Sequence, residues 1–265
     1  MSNSRMLSVD NLNLSFGGIK AVDQVTFHIN EHELLGLIGP NGAGKTTVFN
    51  MISGFYKADS GTIKLHTKDA DEVINELSPD EVNKAGIART FQNIRLFGKL
   101  TVVENVLLAM QQTETLGWRE SLLRTKSYRE KEAALKAHCI DLLKIFSLDH
   151  LAEELACNLP YGLQRKLEIV RALATKPKLL ILDEPAAGMN HQETEDLKKL
   201  IHFVKQKFNL TVLLIEHDMK LIMSICERIV VLNRGVKIAD GTPAEVKANQ
   251  NVIEAYLGKR TQLHG

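Results

Sequence analysis

Gly39-Pro40-Asn41-Gly42-Ala43-Gly44-Lys45-Thr46 follows the apolar run Leu34 to Ile38 and opens a helical stretch, Lys45 to Ser53, that Gly54 closes. The spacing satisfies G-x-x-x-x-G-K-[ST], the Walker A pattern, in the order strand, glycine-rich loop, helix that the pattern requires. Glycines let successive backbone N–H groups face one anion, and the helix N-terminus adds its partial positive charge. Residues Gly39, Pro40, Asn41, Gly42, Ala43 and Gly44 would thus cradle the phosphates of a nucleoside triphosphate. Lys45 would reach the β- and γ-phosphates, Thr46 would offer its hydroxyl to Mg²⁺, and Thr47 would support the α-phosphate. A chance glycine-rich turn would match in roughly one chain in a hundred of this length, and the correct flanks argue against it.

Upstream, Leu7, Val9, Leu12, Leu14 and Phe16 alternate with polar neighbours, as do Val25, Phe27 and Ile29, with Gly17-Gly18 between the runs. Period-two alternation about a glycine pair predicts an antiparallel hairpin. Downstream, Ile63 and Leu65 predict another edge strand, and from about residue 90 to 170 the alternation gives way to helical character. Leu179 to Leu182 and Thr211 to Ile215 are short apolar runs ending in charged residues, the pattern of a buried parallel sheet. The expected fold class is α/β, a P-loop NTPase (RecA-like) core with an N-terminal antiparallel β subdomain and a helical subdomain. A single domain is expected over 6–245, with 6–90 and 171–245 as β subdomain and core, 91–170 as the helical part, and 246–265 as a short C-terminal helix and tail. No repeat or Pro-rich or Gly/Ser-rich linker interrupts it, so the insertion should pack on the core.

Leu179-Leu-Ile-Leu-Asp183-Glu184 ends an apolar strand in two carboxylates, the Walker B form. Asp183 would hold Mg²⁺ through its water shell, and Glu184, beside the γ-phosphate, would act as general base toward the attacking water. Without the glycine loop the same residues would read equally as an acidic strand exit.

Lys plus Arg number 33 against 32 for Asp plus Glu, a formal charge of +1, so no global field favours nucleic acid or an anionic bilayer. Cys139, Cys157 and Cys226 are odd in number and form no CxxC pair, which suits a reducing compartment and three buried thiols. No run approaches the roughly 18 apolar residues of a membrane helix, and the start lacks a secretory signal, so a cytoplasmic location is expected.

The interval of 138 residues between Lys45 and Asp183 contains a helical insertion, which excludes the compact GTPase layout. From Phe16 to His217 the chain resembles the ABC ATPase family, with each motif in the family's order. The resemblance implies that Phe16 stacks on adenine, whereas its place in the first hairpin would equally make it a core residue. It implies that Gln92, in Ala88-Arg-Thr-Phe-Gln-Asn, contacts Mg²⁺ and the catalytic water and joins core to helical subdomain. His217, in Leu214-Ile-Glu-His-Asp, is similar to the switch histidine that hydrogen-bonds the γ-phosphate. Ala187-Gly-Met-Asn190 stands at the D-loop, with Asn190 where Asp is usual.

Asn158-Leu-Pro-Tyr-Gly-Leu-Gln-Arg-Lys-Leu stands at the signature segment, with Pro160, Tyr161 and Leu163 in place of Ser, Gly and Gln. Proline has neither hydroxyl nor N–H to give a phosphate, leaving the amides of Tyr161 and Gly162 and the helix dipole. A lost hydrogen bond to a charged group is worth about 1.5–3 kcal/mol. This departure, with Ala88 to Phe97, Asp183 to Asn190 and the closing Glu254-Ala-Tyr-Leu-Gly, resembles the ATPases of branched-chain amino acid importers. The resemblance implies ATP and Mg²⁺ as cofactors, a second ATPase subunit (a heterodimer by preference, given Pro160), two membrane permeases contacted near Gln92 to Phe97, and an extracytoplasmic binding protein. It places the chain peripherally on the cytoplasmic face of the membrane.

ATPases of other transport systems (lipopolysaccharide export, urea, other amino acids) share much of this pattern. A soluble ABC-type ATPase would carry long coiled coils or two cassettes, and a small-molecule kinase would lack the signature segment. ATP binding without turnover remains open because of Pro160. The basic stretch about Trp118, residues 118–131, reads either as a membrane- or permease-facing helix or, preferred because Glu120, Glu130 and Glu132 dilute it, as a solvated mixed-charge helix.

Overall fold

The computed structural model describes residues 4–67, 71–113 and 126–257. The first hairpin pairs β1 (Arg5–Phe16) with β2 (Ile19–Asn30), and Gly17 and Gly18 turn it at φ 52° and 86°. Positive φ at both central residues matches the right-handed twist of the flanking strands. The register slips between Val9 and Leu12, which returns Leu12 and Leu14 to the buried face after the polar pair Asp10-Asn11. β4 (Ser60–His66) pairs with the other edge of β1 and in turn carries β5 (Asp71–Val73), giving the order β2-β1-β4-β5. The strand of Ile63 and Leu65 is therefore interior, not an edge; the short β5 that covers it has a wholly exposed, weakly apolar pattern that gives no strand signal.

The second sheet has the order β10-β9-β3-β8-β7-β6. Here β3 (Leu34–Ile38), β6 (Ile87–Arg89), β7 (Leu179–Asp183), β8 (Thr211–Ile215) and β9 (Arg228–Asn233) are parallel, and β10 (Val236–Gly241) adds antiparallel to β9. β3, β7 and β8 are buried along their whole length, with alternate residues serving two cores. Leu34, Ile38, Leu180, Leu182, Val212 and Leu214 face a helical layer, while Leu35, Leu37, Ile181, Leu213 and Ile215 face the antiparallel sheet and helix α1 (Lys45–Ile52). Burial on both faces is why these strands read as continuous apolar runs without alternation.

The helical layer contains α3 (Val102–Thr113), α4 (Lys126–Ile145) and α5 (Tyr161–Leu173), the short α2 (Pro79–Lys84) lying earlier in the chain. Val102, Val106, Leu135, Leu143, Leu167 and Val170 belong to the same apolar cluster as β3, β7 and β8, so the insertion packs on the core. α6 (His191–Lys207), α7 (Met219–Ile225), α8 (Pro243–Ala248) and α9 (Gln250–Leu257) complete the fold. Asn190 caps α6, its carboxamide oxygen accepting from Glu193 N–H at 3.0 Å while the Glu193 carboxylate accepts from Asn190 N–H at 2.8 Å. Cys139 and Cys226 are buried, and burial pushes the Cys226 thiol far above its usual range, but Cys157 is exposed in the turn before α5, contrary to expectation. Residues 118–125 of the basic stretch and the tail from 258 lie outside the described residues, among which no helix is long and apolar enough to cross a membrane.

Candidate functional site

Every predicted site residue except Phe16, Tyr161 and Gly162 lies at or just beyond the carboxyl edge of the parallel strands, where open α/β sheets bind ligands. β3 runs into the phosphate loop. A Cβ at Gly39 (φ 156°) would stand 2.2 Å from Leu232 O, and one at Gly44 (φ 96°) 2.5 Å from Ala21 O, so both glycines are demanded by close backbone approach. A Cβ at Gly42 (φ 77°) would meet nothing within 4 Å, because it faces the open side of the loop. Lys45 lies buried across the loop, its Nζ donating to Gly39 O at 2.7 Å and Pro40 O at 3.1 Å. Burial lowers its pKa, and the carboxylates of Glu184 and Asp183 oppose that shift.

Phe16 is 48% exposed, so it is not part of the hairpin core; it meets Tyr56 edge-to-face at 5.5 Å. Together with Ile19, Gly42, Lys45, Thr46, Thr47 and Arg234 it lines a cleft of about 490 Å³. Arg234 and Gly235 turn the β9–β10 hairpin at φ 48° and 81°, and Gly235 N–H donates to Ala43 O at 3.0 Å, docking that turn against the phosphate loop. Sequence reading gave Arg234 no role, since only pairing of β9 with β3 carries it there.

At the end of β7, Asp183 pairs with Ile215 of β8, and Glu184 N–H donates to Ile215 O at 2.8 Å. Glu184 has φ 43°, a left-handed conformation that costs a non-glycine residue about 1–2 kcal/mol. That bend aims its carboxylate at two groups far away in sequence. Gln92 Nε2 donates to Glu184 Oε2 at 2.7 Å, and His217 Nδ1 lies 3.5 Å from the same oxygen. All three expected catalytic residues therefore meet at one carboxylate oxygen.

Asp183 is buried, and desolvation raises its pKa against the opposing charge of Arg89, whose Nη2 donates to Oδ2 at 3.3 Å. Arg89 is itself sandwiched by aromatic faces, with its guanidinium carbon 3.9 Å from the Phe49 centroid and 4.8 Å from that of Phe91. Glu216 is fully buried beside Glu184, its Oε1 accepting from Ala186 N–H at 2.9 Å and its Oε2 from His217 N–H at 3.3 Å. Burial is the main reason its pKa is raised. Neither Arg89 nor Glu216 was legible as a site residue; a charged residue inside an apolar strand context is the one signal each offered.

The signature segment starts α5. Pro160 sits at its N-cap with extended backbone (φ −54°, ψ 150°) and no side-chain cap, and Tyr161, 42% exposed, donates its hydroxyl to Ala187 O at 2.9 Å. Tyr161 thus touches the loop after Glu184, and neither it nor Gly162 lines the cleft at the phosphate loop.

Among the described residues no cluster of three or more His, Cys, Asp or Glu side chains could hold a metal ion. The donors present, the Thr46 hydroxyl and the Asp183 Oδ1 that Arg89 does not engage, suit a hard cation that keeps waters and phosphate oxygens for most of its shell.

Fold and site together define a P-loop nucleotide triphosphatase with a helical insertion between its phosphate loop and its acidic strand end. The family model for ABC transporter matches residues 22–187, and that for the branched-chain amino acid ATP-binding cassette transporter matches 236–261. The high-affinity branched-chain amino acid transport ATP-binding protein LivG of Escherichia coli (strain K12) is 47% identical over 255 residues, 96% of this chain and 98% of the relative. BraF of Pseudomonas aeruginosa, named as the same kind of protein, is 45% identical over 254 residues with the same coverage. A crystal structure of the ADP conformation of an ATP-binding cassette of an ABC transporter superposes with a TM-score of 0.81 at 31% identity, covering 96% of this chain and 99% of that one. The chain belongs to the ABC transporter family as an ATP-binding subunit, which hydrolyses ATP to power a membrane transporter.

Proposed function

We propose that this chain energises import of branched-chain or other hydrophobic amino acids, working on the cytoplasmic face of the membrane beneath two permease subunits and paired with a second ATPase subunit, with an extracytoplasmic binding protein supplying the cargo. The cargo assignment is supported by likeness of the closing segment, residues 236–261, and of the whole chain to such transporters. The catalytic assignment is carried by one observation, the convergence of Gln92 and His217 on the Glu184 carboxylate.

The phosphate loop binds ATP through its backbone amides and Lys45, whose ammonium exchanges its loop carbonyls for phosphate oxygens. Phe16 takes the adenine face. Thr46 and Asp183, with Gln92, would hold Mg²⁺, which supplies neutralisation of phosphate charge. Glu184 accepts the proton of the attacking water, Gln92 orients carboxylate and water, and His217, 60% exposed on its side chain, donates toward the γ-phosphate. Tyr161 and Gly162 present α5 to the partner subunit, where Pro160 weakens the grip on a phosphate and favours a non-identical partner.

Cells or proteoliposomes carrying the full transporter test this. Glu184→Gln is expected to abolish ATP turnover and leucine, isoleucine and valine uptake while leaving ATP binding intact. Unchanged turnover would remove Glu184 from its role, and turnover without uptake of these amino acids would remove the cargo. Sizing Glu184→Gln with ATP, alone and with candidate partners, tests pairing; homodimers as stable as any mixed pair would count against the asymmetry.

A further inference from the structure

Arg165 and Glu168 lie one and two helical turns into α5, and each side chain is only 1% exposed. They pair at 2.7 Å, Arg165 Nη1 to Glu168 Oε2, but most of their remaining bonds go to the loop that carries Gln92. Arg165 Nη1 donates to Phe91 O and Nη2 to Gln92 O, both at 2.7 Å. Glu168 Oε1 accepts from Phe91 N–H at 3.3 Å and Arg95 N–H at 3.4 Å. Arg165 Nη2 also donates to the Tyr161 hydroxyl at 3.3 Å, and that hydroxyl reaches Ala187 O, three residues past Glu184. One arginine therefore joins the start of α5 to the two loops that meet at Glu184.

The ion pair by itself adds little stability. A buried ion pair often does no better than apolar side chains of the same volume, and Arg165 Nε has no hydrogen-bond partner among the described residues. What the arrangement supplies is geometry, since a guanidinium fork can span two consecutive carbonyls that a lysine ammonium cannot hold in register.

We propose that Arg165, with Glu168 as its counter-ion, is a positioning residue for the Gln92–Glu184 pair, fixing the backbone of Phe91 and Gln92 so that the start of α5 and both catalytic loops move as one body. The proposal rests on the assignment of Gln92 and Glu184 to ATP hydrolysis. It gives the departure of this signature helix from the common pattern a second role, inside its own chain.

The test compares steady-state ATPase kinetics of the full chain with Arg165→Lys and with the paired replacement Arg165→Met, Glu168→Leu. Both are expected to lower kcat about tenfold or more through misplacement of Gln92, with ATP affinity changed less than about twofold. The apolar pair leaves the Phe91 and Gln92 carbonyls and the Phe91 and Arg95 amides without these partners, so its Tm should fall and the two amides should exchange faster. A folded apolar pair with kcat within about twofold of the original would overturn the proposal, as would losses of kcat that merely follow Tm. Should the apolar pair not fold, Arg165→Lys decides by the same criteria. Turnover lost in Glu184→Gln but intact in the Arg165 variants removes the positioning role alone; turnover surviving Glu184→Gln removes the reading beneath it.

Discussion

The side-chain amide of Gln92 donates to the Glu184 carboxylate at 2.7 Å across 92 residues of sequence, and His217 approaches the same oxygen at 3.5 Å. Groups that act through one atom are not independent. Gln92→Ala is expected to lower kcat about a hundredfold in the unaltered chain. In the Glu184→Gln background its further cost should be well below that, because the carboxylate it orients is gone and only its contact with Mg²⁺ is left to lose. Single-turnover ATP hydrolysis of the two single variants and the double variant measures this.

Two glycines of one loop should respond differently to the same methyl group. Gly39→Ala drives a Cβ to 2.2 Å from Leu232 O, a backbone atom of β9. A strain of about 1–3 kcal/mol lowers Tm by about 2–12 °C in a domain of this size. Gly42→Ala meets nothing within 4 Å and bears only its left-handed φ, so it should melt closer to the original while its methyl obstructs the phosphate cradle. Thermal melts with and without ATP separate the two effects.

Phe16 is half exposed and touches Tyr56 only by an edge. Phe16→Ala should therefore leave Tm nearly unchanged but weaken ATP binding about 2- to 12-fold, the value of one aromatic stacking contact. Triphosphate without a base should bind as before. Calorimetric titration with ATP and with tripolyphosphate makes the comparison.

Glu216 gives stability a pH dependence of definite sign. Its folded pKa is raised, chiefly by burial, with Glu184 adding to the shift and His217 opposing it. Between the ordinary glutamate value, about 4.5, and that raised value the native state holds more protons than the unfolded chain, so stability attributable to this group falls as pH rises through the window. Glu216→Gln abolishes the titration. The Tm of the variant minus that of the original should rise from pH 4 to pH 8, whatever constant offset the lost acceptor introduces. A flat or falling difference would show that Glu216 stays as acidic in the fold as in the open chain.

The eight residues from Gly39 to Thr46 make a nucleotide-binding loop legible, because everything the pattern needs is local: glycines at fixed spacing, a lysine, a hydroxyl and the helix start that follows. The strands of the parallel sheet were equally legible, since burial on both faces makes each of them apolar throughout. Pairing is not local. Whether Ile63 and Leu65 lie on an edge depends on β5, a strand with no apolar pattern of its own, and Cys157 is exposed because of what fails to cover it rather than its own chemistry. The same holds for the chemistry. Arg89 reaches Asp183 across 94 residues and Arg165 reaches the Gln92 carbonyl across 73, contacts that exist only once β6 lies beside β7 and α5 has packed behind the Gln92 loop. The sequence by itself determined which groups stand in the phosphate-loop and Walker B patterns; the tertiary structure decided which of the remaining charges are buried, what each faces, and that the Gln92 and His217 side chains meet at one oxygen of the Glu184 carboxylate.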